Sequence, residues 1–194
     1  MVYEHQYYSL TVRTGDLLCM TDGDCSDLQG QFWRLLGTLL PGPIDHIVIY
    51  LGPGGRCIES GPGGVTVFEM TGSTWDAQPL TEQRGRLRDR LFGVAYPLQE
   101  RGLAPEEENR IRESVAAYCL AQVGKPYNLN FLDSDTEDAF YCSQLAYKAY
   151  QAEGIKVRTK LYLPGLPHTE LIIFPREIWE GLPHQPVEAS QAPS

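Results

Sequence analysis

Long apolar runs are missing from this chain: none approaches the roughly 18 residues that a membrane-spanning helix needs. Its opening, MVYEHQYYSLTVRTGD, has neither the basic start nor the apolar centre of an export signal, so a cytoplasmic location with no membrane span is expected. Positive charge is also short. The 16 Lys and Arg stand against 25 Asp and Glu, a formal charge of −9, which argues against a broad phosphate-binding surface and against nucleic acid as a partner. Dithiol spacing is absent: Cys19, Cys25, Cys57, Cys119 and Cys142 include no Cys-x-x-Cys pair, which fits free thiols in a reducing compartment better than a disulfide scaffold or thiolate metal centre. Histidine is scarcer still, so imidazole chemistry has only His5, His46, His168 and His184 to draw on.

What is present suits one globular core: 194 residues, 42% of them apolar, with no internal repeat. A single domain over 1–194 is expected, with its core at about 12–175 and a mobile tail over 181–194. GDLLCM at 15–20 reads as a first strand. DHIVIYLG at 45–52, GGRCIES at 54–60 and GVTVFEM at 64–70 form the densest strand signal, with glycine-rich joints that suit an antiparallel meander. FGVAYPL at 92–98 offers a further strand, and LIIFPREIW at 171–179 a last one. SDLQGQFWRLLGTLLPG, 26–42, has helical apolar spacing after Ser26 and reads as a core-facing helix or the apolar rim of a ligand groove. PEEENRIRESVAAYCLAQVGKPY, 105–127, is the clearest helix, with Pro105 in its first turn and acids where the helix dipole favours them. A second long helix is expected from about Phe140 to Gly154. Arg84, Arg86, Arg88 and Arg90 read as a solvated edge. Strands followed by helices make an α+β fold, with a central antiparallel sheet or small barrel packed against helices.

YCSQLAYKAY, 141–150, places Cys142 near the start of that second helix, with Asp138 or Thr136 as candidate caps. Unpaired N–H groups and the positive end of the helix dipole stabilise a thiolate there, and a nearby imidazole lowers the cost further. The competing reading is a buried cysteine acting as a small hydrophobe. Of the four histidines, His46 alone opens a strand, where the backbone can fix its ring; His5 and the tail's His184 lack such support, and His168 follows a Pro-rich loop. A catalytic imidazole also needs a partner on its other nitrogen. Glu59, on the strand returning beside DHIVIYLG, fits that place better than Asp45 or Asp16, because a turn near Pro53-Gly54 pairs position 46 with 60 or 61.

Taken together, GDLL, DHIVIYLG, CIESGPGGV, KPYNLNF and YCSQLAYKAY resemble, in that order, the circularly permuted branch of the NlpC-type papain-like cysteine peptidases, the YiiX/YebB-like group. The resemblance implies a papain-like fold of permuted topology, with Cys142 as nucleophile, His46 as base and Glu59 as orienter. It places Tyr127 on the wall of a cleft, with Tyr141, Ser143 and Gln144 also beside the substrate. Gln144 departs from the pattern, standing where an acid is common.

The activity expected is a thiol-dependent hydrolase acting on an amide, isopeptide or ester bond through a thioester. Its partner would be a peptide, an amino-acid-containing molecule or an acyl lipid. A related acyltransferase, or a binding module holding lipid or acylated peptide in the same cleft, are the alternatives. Cys, His and Glu are each valid zinc ligands, but no histidine cluster supports a metal, and no cofactor is expected.

Overall fold

The computed structural model describes residues 1–21, 43–84, 89–158 and 168–188. The helix expected at 26–42, together with Cys25, Arg86 and Arg88, lies outside the described residues. The chain opens with a hairpin of β1 (Glu4–Tyr7) and β2 (Leu10–Arg13). Six further strands build one sheet: β3 (Leu17–Thr21), β4 (His46–Gly52), β5 (Arg56–Gly61), β6 (Gly64–Glu69), β7 (Arg90–Ala95) and β8 (His184–Pro186). Their order is β6-β5-β4-β3-β7-β8, and every pairing is antiparallel. This is the expected α+β architecture, in its central-sheet form.

Alternation along the strands sends side chains into two apolar layers. Leu17, Cys19, Ile47, Ile49 and Ile58 face the helices, where Ile111, Val115 and Cys119 from α2 (Pro105–Ala121) and Leu145, Ala146 and Ala149 from α3 (Cys142–Gln151) cover them. Leu18, Met20, Val48, Tyr50 and Cys57 face the other way, onto Tyr7, Leu10 and Val12 of the hairpin and onto Trp75 and Leu80. With both faces covered, all seven residues of β4 are buried, which is why DHIVIYLG reads as an unbroken apolar run. Among the described residues no helix is long and apolar enough to cross a membrane.

One expectation near the C-terminus needs correction. LIIFPREIW is not a strand: Thr169–Leu171 is a short 3-10 turn, and Pro175 opens α4 (Pro175–Gly181). Proline fits a helix's first turn, where its missing N–H costs nothing, and Glu177 turns back to accept the Phe174 N–H at 3.0 Å. Further along, His184–Pro186 forms β8, laid along β7 with Gly93 opposite Pro186. Gly93 permits this approach, since a Cβ there would stand 2.4 Å from the Gln185 carbonyl oxygen and 2.6 Å from the Trp179 ring.

Candidate active site

The second long helix starts later than its sequence suggested. Tyr141 is the last extended residue and Cys142 the first helical one, while Thr136 and Asp138 lie in the preceding turn. The cap comes from within the helix, where Gln144 Oε1 accepts the Tyr141 N–H at 3.2 Å. Cys142 therefore occupies the first helical position, whose N–H has no acceptor inside the helix.

Three tethers fix this helix head against the sheet. Ser60 of β5 donates its hydroxyl to the Phe140 carbonyl at 2.5 Å. The KPY segment runs beside the lead-in, with the Phe140 N–H on the Pro126 carbonyl and the Asn128 N–H on the Phe140 carbonyl. On the far side, Ser143 donates to the Ile173 carbonyl at 2.6 Å and the Tyr141 hydroxyl accepts the Ile173 N–H at 3.0 Å.

His46 is the first residue of β4, and its Nε2 lies 2.7 Å from Glu59 Oε2. Cys142 is the ring's other ionisable neighbour, close enough to act on its proton affinity. With Nε2 committed to Glu59, Nδ1 is the nitrogen left for the sulfur. Burial lowers the proton affinity of the ring, but the influence of Cys142, together with that of Glu59, outweighs it and raises the His46 pKa well above the ordinary value. Thus the chain's three candidate residues, 46, 59 and 142, meet at one end of the sheet. Cys142 is 1% exposed and His46 8%, so the ring edge is the more open part of the group.

Cys19, Cys57 and Cys119 are the other thiols among the described residues. Burial pushes Cys57 up to about 12 and raises Cys19 and Cys119 as well, which leaves them protonated and inert.

A residue taken for solvated edge stands behind Glu59. Arg84, at the end of α1 (Thr81–Arg84), is fully buried. Its Nε and one terminal nitrogen donate to Glu59 Oε1 and Oε2 at 3.0 and 2.7 Å. The same guanidinium donates to Asp89 Oδ1 and Oδ2 at 2.8 and 2.7 Å, and Trp75 Nε1 donates to Asp89 Oδ1 at 3.1 Å. Glu59 is raised by burial but lowered more by Arg84 and His46, and ends well below the usual carboxylate range.

A family model described as "Permuted papain-like amidase enzyme, YaeF/YiiX, C92 family" matches residues 13–170. The chain belongs to that family. A solved structure described as "Crystal structure of metalloprotein yiiX from Escherichia coli O157:H7, DUF1105" aligns at 18% identity, covering 90% of this chain and 96% of that one with a TM-score of 0.49. No curated protein matches.

For this permuted papain-like chain a metal has one candidate place among the described residues: ligand atoms of His46, Glu59 and Asp89 lie within 4.8 Å of one another. Arg84 already supplies positive charge there, donating to both carboxylates, so the donor set does not fit a further cation.

The residues expected beside a substrate are placed unevenly. Tyr127 is partly exposed and meets Phe131 edge-on, with ring centroids 6.2 Å apart, on the segment next to the helix head. Tyr141, Ser143 and Gln144 are buried. Gln144 accepts from Asn128 and Tyr141 and donates to the Ser134 and Thr136 carbonyls, so its amide is spent inside the fold. These three hold the helix head in place, and the Tyr141 hydroxyl is turned to Ile173 instead of toward an oxyanion.

Proposed function

We propose that this protein is a thiol hydrolase that opens an amide, isopeptide or ester carbonyl through a thioester on Cys142. The observation that carries the reading is His46 held by Glu59 at 2.7 Å, near enough to Cys142 for that thiol to raise the ring's pKa. The Cys142 proton passes to His46, and the thiolate attacks the carbonyl carbon to form a C–S bond. Charge developing on the carbonyl oxygen is met by the free N–H of Cys142 at the helix head. As the tetrahedral centre collapses, the C–N or C–O bond breaks and the imidazolium gives its proton to the leaving group. Water then attacks the thioester carbonyl, losing its proton to His46, and the C–S bond breaks to restore the thiol. Glu59 holds the ring in one orientation throughout.

Substrates of this class are small peptides, amino-acid conjugates or acyl lipids, with Tyr127 offering a partly exposed aromatic surface on the segment that pairs with Phe140. The test is intact-mass analysis after exposure to activated ester and amide probes. Wild type should gain an acyl group on Cys142 that water removes, while Cys142→Ala gains none and His46→Ala acquires it at least 100-fold more slowly, given the ~10²–10⁴-fold typical of general acid–base catalysis. An adduct that forms equally fast without His46 would rule the mechanism out.

A further inference from the structure

We propose that Arg84 is the positioning residue of this site: it grips both oxygens of Glu59 so that Oε2 stays against His46 Nε2, and Asp89 with Trp75 holds Arg84 in turn. The inference rests on the reading of Cys142, His46 and Glu59 as a working set. A glutamate has three side-chain torsions, and one hydrogen bond to an imidazole does not fix them. A guanidinium fork does, because two parallel N–H bonds define the plane of the carboxylate. Here the bonds to Oε1 and Oε2 are 3.0 and 2.7 Å, and both side chains are fully buried.

Arg84 is itself restrained on every side. Two of its nitrogens bond Asp89 at 2.8 and 2.7 Å, Asp89 is fixed by the Trp75 indole, and the guanidinium lies 4.4 Å from the Phe68 ring centroid. The charges point the same way. Glu59, Asp89 and Arg84 sum to one negative charge, which an imidazolium at His46 balances; the cluster therefore favours the ring that has taken the thiol proton. Without Arg84 two buried carboxylates share one space, and one of them takes up a proton.

A purely structural role predicts something else: loss of stability with no change in how Cys142 responds to pH. The test is the rate of Cys142 alkylation by iodoacetamide at pH 6 and pH 9, read by peptide mass mapping. The main variant is Arg84→Gln/Asp89→Asn, which removes one charge of each sign and leaves no unpaired ion in the core. Its rate at pH 6 should fall about tenfold, the effect of one pKa unit, and converge with wild type at pH 9. Glu59→Gln should show the same fall, and adding Arg84→Gln/Asp89→Asn to it should change nothing more, since Arg84 acts through Glu59. A pH 6 rate that drops in His46→Ala and Glu59→Gln but not in Arg84→Gln/Asp89→Asn overturns this inference alone. A further fall in the combined variant also overturns it, because the effect then bypasses Glu59. A wild-type pH 6 rate indifferent to His46→Ala overturns the catalytic reading and the inference together.

Discussion

The sheet carries a buried acid–arginine cluster at each end, and only one of them faces a nucleophile. At the site end, Glu59 and Asp89 share Arg84. At the opposite end, Asp16 precedes β3 and meets Arg112 of α2 at 2.8 Å, with Glu108 2.8 Å from the same guanidinium and 2.5 Å from Arg13. A cavity of about 520 Å³ opens there, lined by Asp16, Arg112, Tyr96 and Arg101 among others. The ingredients match, yet the acids shift in opposite directions. Burial raises Asp16 and its arginines do not recover the loss, whereas Glu59 is lowered to about 2 because Arg84 and His46 outweigh the same penalty. Arg112 spreads its donors over the Thr14 carbonyl, Asp16 and Glu108, while Arg84 spends all of its described bonds on two carboxylates. Of these two buried acids, the one that ends low is the one hydrogen-bonded by two cationic side chains, Arg84 and His46.

The largest effect that can break this comparison is removal of each arginine. Arg84→Met strands two fully buried acids and should cost about 3–5 kcal/mol in denaturant unfolding. Arg112→Met should cost about 2 kcal/mol, because Asp16 accepts a proton readily and Glu108 is partly exposed. Equal losses would mean that the two clusters are energetically alike.

The pH dependence of stability separates them next. Glu59 has a lowered folded value, so its contribution is complete above the ordinary carboxylate range and is lost as pH falls toward about 2. Asp16 has a raised one, so the folded state binds its proton more readily, and its ionisation costs stability as pH rises through the folded value. The stability gap between wild type and Glu59→Gln should therefore shrink on acidification below about pH 4.5. That between wild type and Asp16→Asn should move in wild type's favour over the acid range. Parallel slopes in urea titrations at each pH would contradict the assignment.

The smallest effect sets the scale. Tyr141→Phe leaves the buried Ile173 N–H without its 3.0 Å acceptor at the helix head and should cost about 1 kcal/mol in thermal unfolding.

The three residues that meet at the site were legible because each has a local signature: a cysteine at the head of an amphipathic helix, a histidine opening an apolar strand, and an acid with apolar neighbours on the returning strand. Arg84 was not legible. It sits among other arginines, a pattern typical of solvent-facing segments, and its partner Glu59 is 25 positions away. Nothing local marks an arginine whose burial depends on long-range pairing. The misread strand at 171–179 shows a related limit, since the apolar run LIIF outweighed the helix-start signal in Phe174-Pro175-Arg176-Glu177 that the fold uses. Strand β8 escaped because an edge strand of three exposed residues needs no apolar pattern of its own, only the room that Gly93 leaves beside it. Gln144 carried a signal that could have been read: a glutamine three residues after Tyr141 is the back-reaching half of a capping box, and it marks the helix start at Cys142.

The central claim is that Cys142 and His46 share a proton as a pair, and the ultraviolet absorbance of the thiolate tests it without requiring any reagent to reach the sulfur. In a difference titration against Cys142→Ala, loss of His46 should move the onset of thiolate absorbance to higher pH, to the region of an ordinary thiol at about pH 8.5. Wild-type absorbance that first rises near that value, unchanged by loss of His46, would contradict the account.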